Sequence, residues 1–255
     1  MSVFGTYEWS VASINCTQGC LNNCNYCYAR ASAVRQELIK KDSWISLSTR
    51  RSVSREQELY NGMVMFPSQH DIFNENIDDC LSTLFNLLGA KNKVLIVSKP
   101  RIEPMLQLFY HLADYMNQIL FRFTIGCSDD TTLHIWEPEA PSYEERIACL
   151  STAHALGYQT SVSMEPMLDP NNIVADVMGM IRFVTDAIWL GKMNYIRERT
   201  RDVPEHEIVA LERAYSNDSI QRIYQCLRFN PKIKWKESIK KVVGLPLIQI
   251  PGQDQ

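Results

Sequence analysis

Short apolar runs alternate along the chain with longer stretches in which apolar residues return every three or four positions. Six runs read as strands, at residues 11–16, 63–66, 93–98, 120–125, 160–164 and 187–190. Between them, Ile77, Cys80, Leu81, Leu84, Leu87 and Leu88 share one face of a helix. Ile102, Met105, Leu106, Phe109, Leu112, Ala113 and Met116 share one face of another. A third helix is expected from about 143 to 156, stopped by Gly157, and a fourth carries Val174, Val177, Met178 and Ile181. Alternation at these intervals implies parallel pairing through right-handed crossovers, in a sheet curled into a full or partial barrel.

Past Pro204 the pattern is helical, with Ile208, Leu211 and Tyr215 and then Ile220, Ile223, Tyr224 and Leu227, followed by a Lys-rich tail. No Gly/Ser or Pro-rich linker and no repeat divides the chain. The expected organisation is one α/β domain, a barrel core over residues 1–200 with a helical C-terminal extension over 201–255 packed on it. That extension either closes the side of the barrel or bears on the substrate.

Composition narrows the possibilities. The 255 residues are 45% hydrophobic and 22% charged, enough for one sizeable core. A formal net charge of −3 gives no global positive field toward nucleic acid or anionic membrane. Lys232, Lys234, Lys236, Lys240 and Lys241 leave room for a local basic edge. The longest apolar runs, at 94–97 and 188–190, fall far short of the roughly 20 residues that span a bilayer. The first residues lack the basic, apolar and small-residue order of a secretory signal, so a cytoplasmic protein with reduced thiols is expected. Clustered cysteines in that compartment hold metal more often than they form disulfides.

In barrels of this kind functional groups gather at the carboxyl ends of the strands. The segments following the six runs are polar or cysteine-bearing: residues 16–30, 67–71, 98–100, 126–130, 165–169 and 191–194. The first holds Cys20, Cys24 and Cys27 in the spacing C-x3-C-x2-C, with Cys16 just before them. A closed zinc site takes four ligands, commonly in two distant pairs, so zinc would need Cys16 or a remote residue as the fourth. A 4Fe-4S cluster held by three cysteines keeps one iron open for an exogenous chelator.

The pattern Gly19-Cys20-x3-Cys24-x-Tyr26-Cys27-Tyr28-Ala29-Arg30 resembles the signature of the radical S-adenosylmethionine superfamily. It is most similar to the spore photoproduct lyase-like branch, in which an aromatic precedes the third cysteine. Residues 136–146, beginning Trp136-Glu137-Pro138, and residues 160–169, containing Glu165-Pro166, resemble the family's stretches after the fourth strand and along the fifth. The likeness covers roughly residues 10–195. It implies a partial (β/α)6 TIM-type barrel whose cluster is ligated by Cys20, Cys24 and Cys27. The open iron would be chelated by S-adenosyl-L-methionine (SAM). A low-potential donor such as flavodoxin or ferredoxin would drive reductive cleavage to a 5'-deoxyadenosyl radical that abstracts a substrate hydrogen.

The resemblance also implies roles for single residues, each beside a plainer one. Tyr26 is placed near the adenine, or packs under the loop. Lys99 pairs with the methionine carboxylate, or is solvated. The Gly-Gly-Glu segment that holds the SAM amino group in many relatives is absent, and Ser68, with His70 and Asp71, stands in its place. Thr124 and Ser128 reach the SAM carboxylate or ribose, or cap a turn with Asp129. Glu137 and Glu165 each precede a proline, which favours extended backbone. They bond ribose hydroxyls, or pair with Arg146. Lys192 and Asn194 meet adenine or substrate, or form an ordinary polar loop. Cys127, expected to face the cavity, is a candidate hydrogen donor. Cys80 and Cys149 read as core residues, and Cys16 as a strand residue or an extra ligand.

Three functions follow. The first is a radical SAM enzyme acting on a nucleobase, nucleotide or nucleic acid, by analogy with the photoproduct lyase-like branch. The acidic chain weighs against long duplex DNA. The second is the same radical chemistry on a peptide or small molecule. The third is a binding module stabilised by zinc or a cluster, without catalysis.

Overall fold

The structure, a computed structural model, describes residues 3, 5–40, 43–50 and 57–254. Among the described residues nine strands form: β1 (Ala12–Ser13), β2 (Thr17–Gln18), β3 (Ser48–Thr49), β4 (Met63–Phe66), β5 (Lys93–Ser98), β6 (Ile119–Thr124), β7 (Gln159–Met164), β8 (Ile188–Leu190) and β9 (Ile233–Trp235). Ten α-helices accompany them: α1 (Tyr28–Arg35), α2 (Ile77–Gly89), α3 (Ile102–His111), α4 (Asp130–Trp136), α5 (Tyr143–Ala155), α6 (Ile173–Met180), α7 (Ile196–Arg199), α8 (Glu205–Ala214), α9 (Asn217–Leu227) and α10 (Glu237–Val243). Seven strands make one sheet in the order β1-β4-β5-β6-β7-β8-β9, every neighbouring pair parallel. β2 and β3 form a separate antiparallel pair.

The alternation along the strands sorts their side chains into two apolar layers. Val64, Phe66, Val94, Ile96, Phe121, Phe123, Val162, Met164, Ile188 and Leu190 point outward and pack against the helices. Met65, Leu95, Leu120 and Trp189 point inward, where they meet Trp9 and Ala187. Arg122 shares this interior, its guanidinium 4.6 Å from the Trp9 ring centroid and 5.2 Å from that of Trp189, and paired with Asp186 at 3.1 Å.

Six strands stand where the apolar runs predict them. The expected stripes lie on α2 and α3, although α3 gives way to a 3-10 turn (Ala113–Gln118). Gly157, at φ +87°, follows α5. The region past 200 is largely helical as expected, and it also supplies β9, which the apolar runs do not reveal because Lys232, Lys234 and Lys236 alternate with its two apolar residues. β9 lengthens the sheet without closing it: β1 and β9 are its two edges and share no ladder. A short 3-10 turn (Gly5–Glu8) runs between them instead. Lys236, just past β9, bonds Glu8 Oε1 at 2.8 Å and the Gly5 carbonyl at 2.8 Å, and Glu8 Oε2 accepts from the Glu237 amide at 2.9 Å. No helix among the described residues is long and apolar enough to cross a membrane.

Candidate active site

The cysteine loop, residues 19–27, is shaped by backbone contacts on three sides. Gly19 takes φ +95°, and a Cβ there would lie 2.4 Å from the Ser46 carbonyl oxygen and 2.8 Å from that of Trp44, so no larger residue fits. The Cys20 amide bonds the Trp44 carbonyl at 3.0 Å, and the Asn25 amide bonds the Trp136 carbonyl at 2.9 Å. Asn25 Nδ2 adds a bond to the Ile135 carbonyl at 2.8 Å. Cys27 is the N-cap of α1, its sulfur accepting from the Arg30 amide at 3.4 Å.

Asp71 ties this loop to the sheet. One carboxylate oxygen accepts from Ser98 Oγ at 2.9 Å and the Lys99 amide at 2.7 Å. The other accepts from Asn22 Nδ2 at 2.8 Å and lies 3.7 Å from Cys20 Sγ. Burial acts to raise its carboxyl, but Lys99 and these donors outweigh it and leave Asp71 below its ordinary value.

Glu137 forms a second buried centre. It pairs with Arg146 at 2.6 Å, lies 3.8 Å from Lys99 Nζ and accepts from the Tyr26 hydroxyl. Burial opposes its ionisation, yet Arg146 and Lys99 prevail and its carboxyl stays below the usual range. Burial would lower the Lys99 ammonium, but Cys24, Tyr26, Glu137 and Asp71 surround it and hold it well above its ordinary value. Lys99 Nζ also stands 5.7 Å from the Tyr26 ring centroid.

A cavity of about 180 Å³ opens at the carboxyl ends of the strands. Cys20, Cys24, Cys27, Tyr26, Ser68, Lys99, Thr124 and Glu165 all line it. Its floor is the upper part of the inward layer, Met65, Val97 and Ser163, with Trp9 and Thr6 beside them. Burial pushes the Cys24 thiol up to about 12 and Cys20 well above its ordinary value, so a cation is required to hold them as thiolates.

The donor set fits a cluster better than a zinc ion. Tetrahedral zinc with bonds of about 2.3 Å brings sulfurs to roughly 3.8 Å from one another. Among the described residues the one trio of His, Cys, Asp or Glu ligand atoms gathered within 4.8 Å lies elsewhere, at Cys16, His70 and Cys80. The thiols of Cys20, Cys24 and Cys27 are not gathered to that extent.

Other expected residues lie away from the cavity. Cys127 is fully buried in the outer core, its sulfur 3.5 Å from the Asp129 carbonyl, which corrects the expectation that it faces the cavity. The chain turns after β6, and the inward parity ends at Thr124. Ser128 donates to Asp176 at 2.6 Å, and Asp129 alone caps α4. Glu137 takes its plainer role, pairing with Arg146. Lys192 is half-buried with its amide on Ser238 Oγ at 2.9 Å, and Asn194 is exposed; neither lines the cavity. Lys236, read from the sequence only as part of a local basic edge, is buried and lies 3.3 Å from Glu165, because it follows the unexpected seventh strand of the sheet.

No protein-family profile matches the chain, and no curated protein matches its sequence. Solved structures do match in fold. A spore photoproduct lyase mutant with bound AdoMet and dinucleoside spore photoproduct is 12% identical, with a TM-score of 0.53 over 88% of this chain and 75% of that one. SuiB from Streptococcus suis bound to S-adenosylmethionine is 11% identical, with a TM-score of 0.55 over 92% of this chain and 49% of that one. SuiB bound to the precursor peptide SuiA is 10% identical, with a TM-score of 0.55 over 93% of this chain and 51% of that one. The chain thus spans about half the length of SuiB. The shared fold is the open, partial barrel expected from the cysteine signature.

Proposed function

We propose that the protein is a radical SAM enzyme whose 4Fe-4S cluster is held by Cys20, Cys24 and Cys27. One observation carries this reading: the three thiols of a single loop open onto the same cavity as Tyr26, Lys99, Thr124 and Glu165, at the carboxyl ends of a partial barrel. When bound, the cluster and SAM supply a 5'-deoxyadenosyl radical for hydrogen abstraction, with a flavodoxin or ferredoxin as electron source. The chain positions and shields that chemistry. Lys99, a buried cation on the cavity wall, suits the methionine carboxylate. Ser68 is fixed by Asn15, whose side chain bonds its amide at 2.8 Å and its hydroxyl at 3.1 Å, and it offers an oxygen where relatives hold the SAM amino group. Glu165 presents a carboxylate to the ribose. Trp9, Met65 and Val97 keep the floor apolar and water out.

For the substrate, the spore photoproduct lyase likeness favours a nucleobase, nucleotide or nucleic acid. The SuiB likeness, which spans only about half of SuiB, supports a peptide as the second reading. Anaerobic reconstitution with iron and sulfide counting, followed by reduction in the presence of SAM, tests the class. About four irons per chain and release of 5'-deoxyadenosine are expected for a 4Fe-4S radical enzyme. Zinc at Cys20, Cys24 and Cys27 with no such product would instead favour the non-catalytic module. Deuterium transfer from labelled oligonucleotides, nucleotides and peptides into 5'-deoxyadenosine then separates the substrate classes.

A further inference from the structure

Behind the cysteine loop lies a second group of soft ligands that the proposed chemistry does not use. Cys16 precedes β2, His70 follows β4, and Cys80 is in α2; their exposures are 0%, 5% and 0%. Cys16 Sγ is 3.6 Å from Cys80 Sγ and 3.6 Å from His70 Nε2, and all three ligand atoms lie within 4.8 Å of one another. Tetrahedral bonds of about 2.3 Å to sulfur and 2.0 Å to nitrogen separate such ligands by roughly 3.8 and 3.6 Å. Two edges of the trio therefore already match those of a metal site, and the third pair, His70 Nε2 and Cys80 Sγ, lies within 4.8 Å.

The imidazole is oriented for the same role. His70 Nδ1 is 2.9 Å from the Asp71 carbonyl, an acceptor only, so Nδ1 carries the proton and Nε2 keeps its lone pair. A second-shell bond of this kind is what fixes the tautomer of a metal-bound histidine. The Cys16 and Thr17 amides both donate to Nε2 at 3.3 Å, so an ion bound there takes the place of these two long bonds. Thr17 Oγ1, 3.5 Å from Cys16 Sγ, is an oxygen near enough for a fourth position.

We propose that Cys16, His70 and Cys80 bind one soft divalent cation, Zn2+ by its fit to two sulfurs and one nitrogen, in a structural site separate from the cluster. With both thiols deprotonated, the two thiolates and the dication form a neutral unit suited to burial. The ion joins the approach to the cysteine loop, the turn carrying His70 and Asp71, and the α2 helix. Through Asp71 it steadies the loop that bears Cys20.

The test is metal analysis of the anaerobically purified, iron-loaded chain. About one zinc per chain beside its iron is expected, with a zinc-edge absorption spectrum showing two sulfurs at about 2.3 Å and nitrogen or oxygen for the rest. A C20A/C24A/C27A variant should lose iron and keep zinc. Cys16→Ser and Cys80→Ser should each lower zinc about tenfold or more, whereas Cys149→Ser should not. Absence of zinc after supplementation, three sulfurs at the zinc, or zinc that disappears with the cluster ligands would overturn the proposal. So would a Cys16–Cys80 disulfide in the purified chain. The spectrum needs no change within the trio, so it stands even if a serine variant fails to fold. Failure here leaves 5'-deoxyadenosine release untouched, and failure of that release leaves the zinc count untouched.

Discussion

Lys236 Nζ lies 3.3 Å from Glu165 on the cavity wall while bonding Glu8 at 2.8 Å, so the residue after the last strand links the chain's beginning to its candidate site. The Lys236 side chain is 1% exposed and that of Glu8 2%. Replacing Lys236 with Met leaves two carboxylates facing each other without their cation. We expect a loss of about 3–5 kcal/mol, read as a lower urea midpoint, and a smaller loss in the Lys236→Met, Glu8→Gln pair. An unchanged midpoint for the single variant would show that the ammonium is dispensable.

Alanine at Cys20, Cys24 or Cys27 is expected to abolish iron and sulfide incorporation and 5'-deoxyadenosine release. Cys16→Ala should leave the iron content of the folded protein intact. If iron falls in that variant while its zinc content is unchanged, Cys16 belongs to the cluster.

Gly19→Ala probes the loop without touching a ligand. The positive φ and the approach to the Ser46 carbonyl leave no room for a methyl group. A destabilisation of at least about 1–2 kcal/mol is expected, with iron loading reduced further than unfolding alone explains. Normal loading would mean that the loop shifts freely.

The Glu137–Arg146 pair gives acid sensitivity of known sign. The folded protein holds this carboxyl below its ordinary 4.5, so its contribution is present above that value and is lost as pH falls through the folded value. Glu137→Gln should cost roughly 3–5 kcal/mol at neutral pH and should flatten the decline of stability below pH 4.5 relative to the parent chain. Parallel slopes for the two proteins would show that another group dominates.

Much of the cavity was legible from strand parity. In β5, Leu95 and Val97 face inward, and the same count reaches Lys99; in β6, Leu120 and Arg122 lead to Thr124; in β7, Ser161 and Ser163 lead to Glu165. All three end residues line the cavity. Where the count does not apply, residue type misleads. Cys127 and Ser128 lie in the turn past β6, and local hydrogen bonds to Asp129 and Asp176 decide their direction. Glu137 follows α4, and Arg146, one α5 turn past the Ser142 cap, claims it. β9 stays hidden because lysines at 232, 234 and 236 leave it no apolar run, and its pairing with β8 is a tertiary choice.

The unpaired rim between β1 and β9 sets how this cavity can change over evolutionary time. A ladder is built from backbone, and altering it disturbs every strand that follows. Here Thr6 and Trp9 line the cavity, and Glu8 and Lys236 close the seam beside them through side-chain bonds to each other and to neighbouring backbone. Exchanged together as a matched set, they can reshape what the cavity admits while the seven-stranded scaffold stays as it is. New substrate preferences are therefore to be sought at this seam.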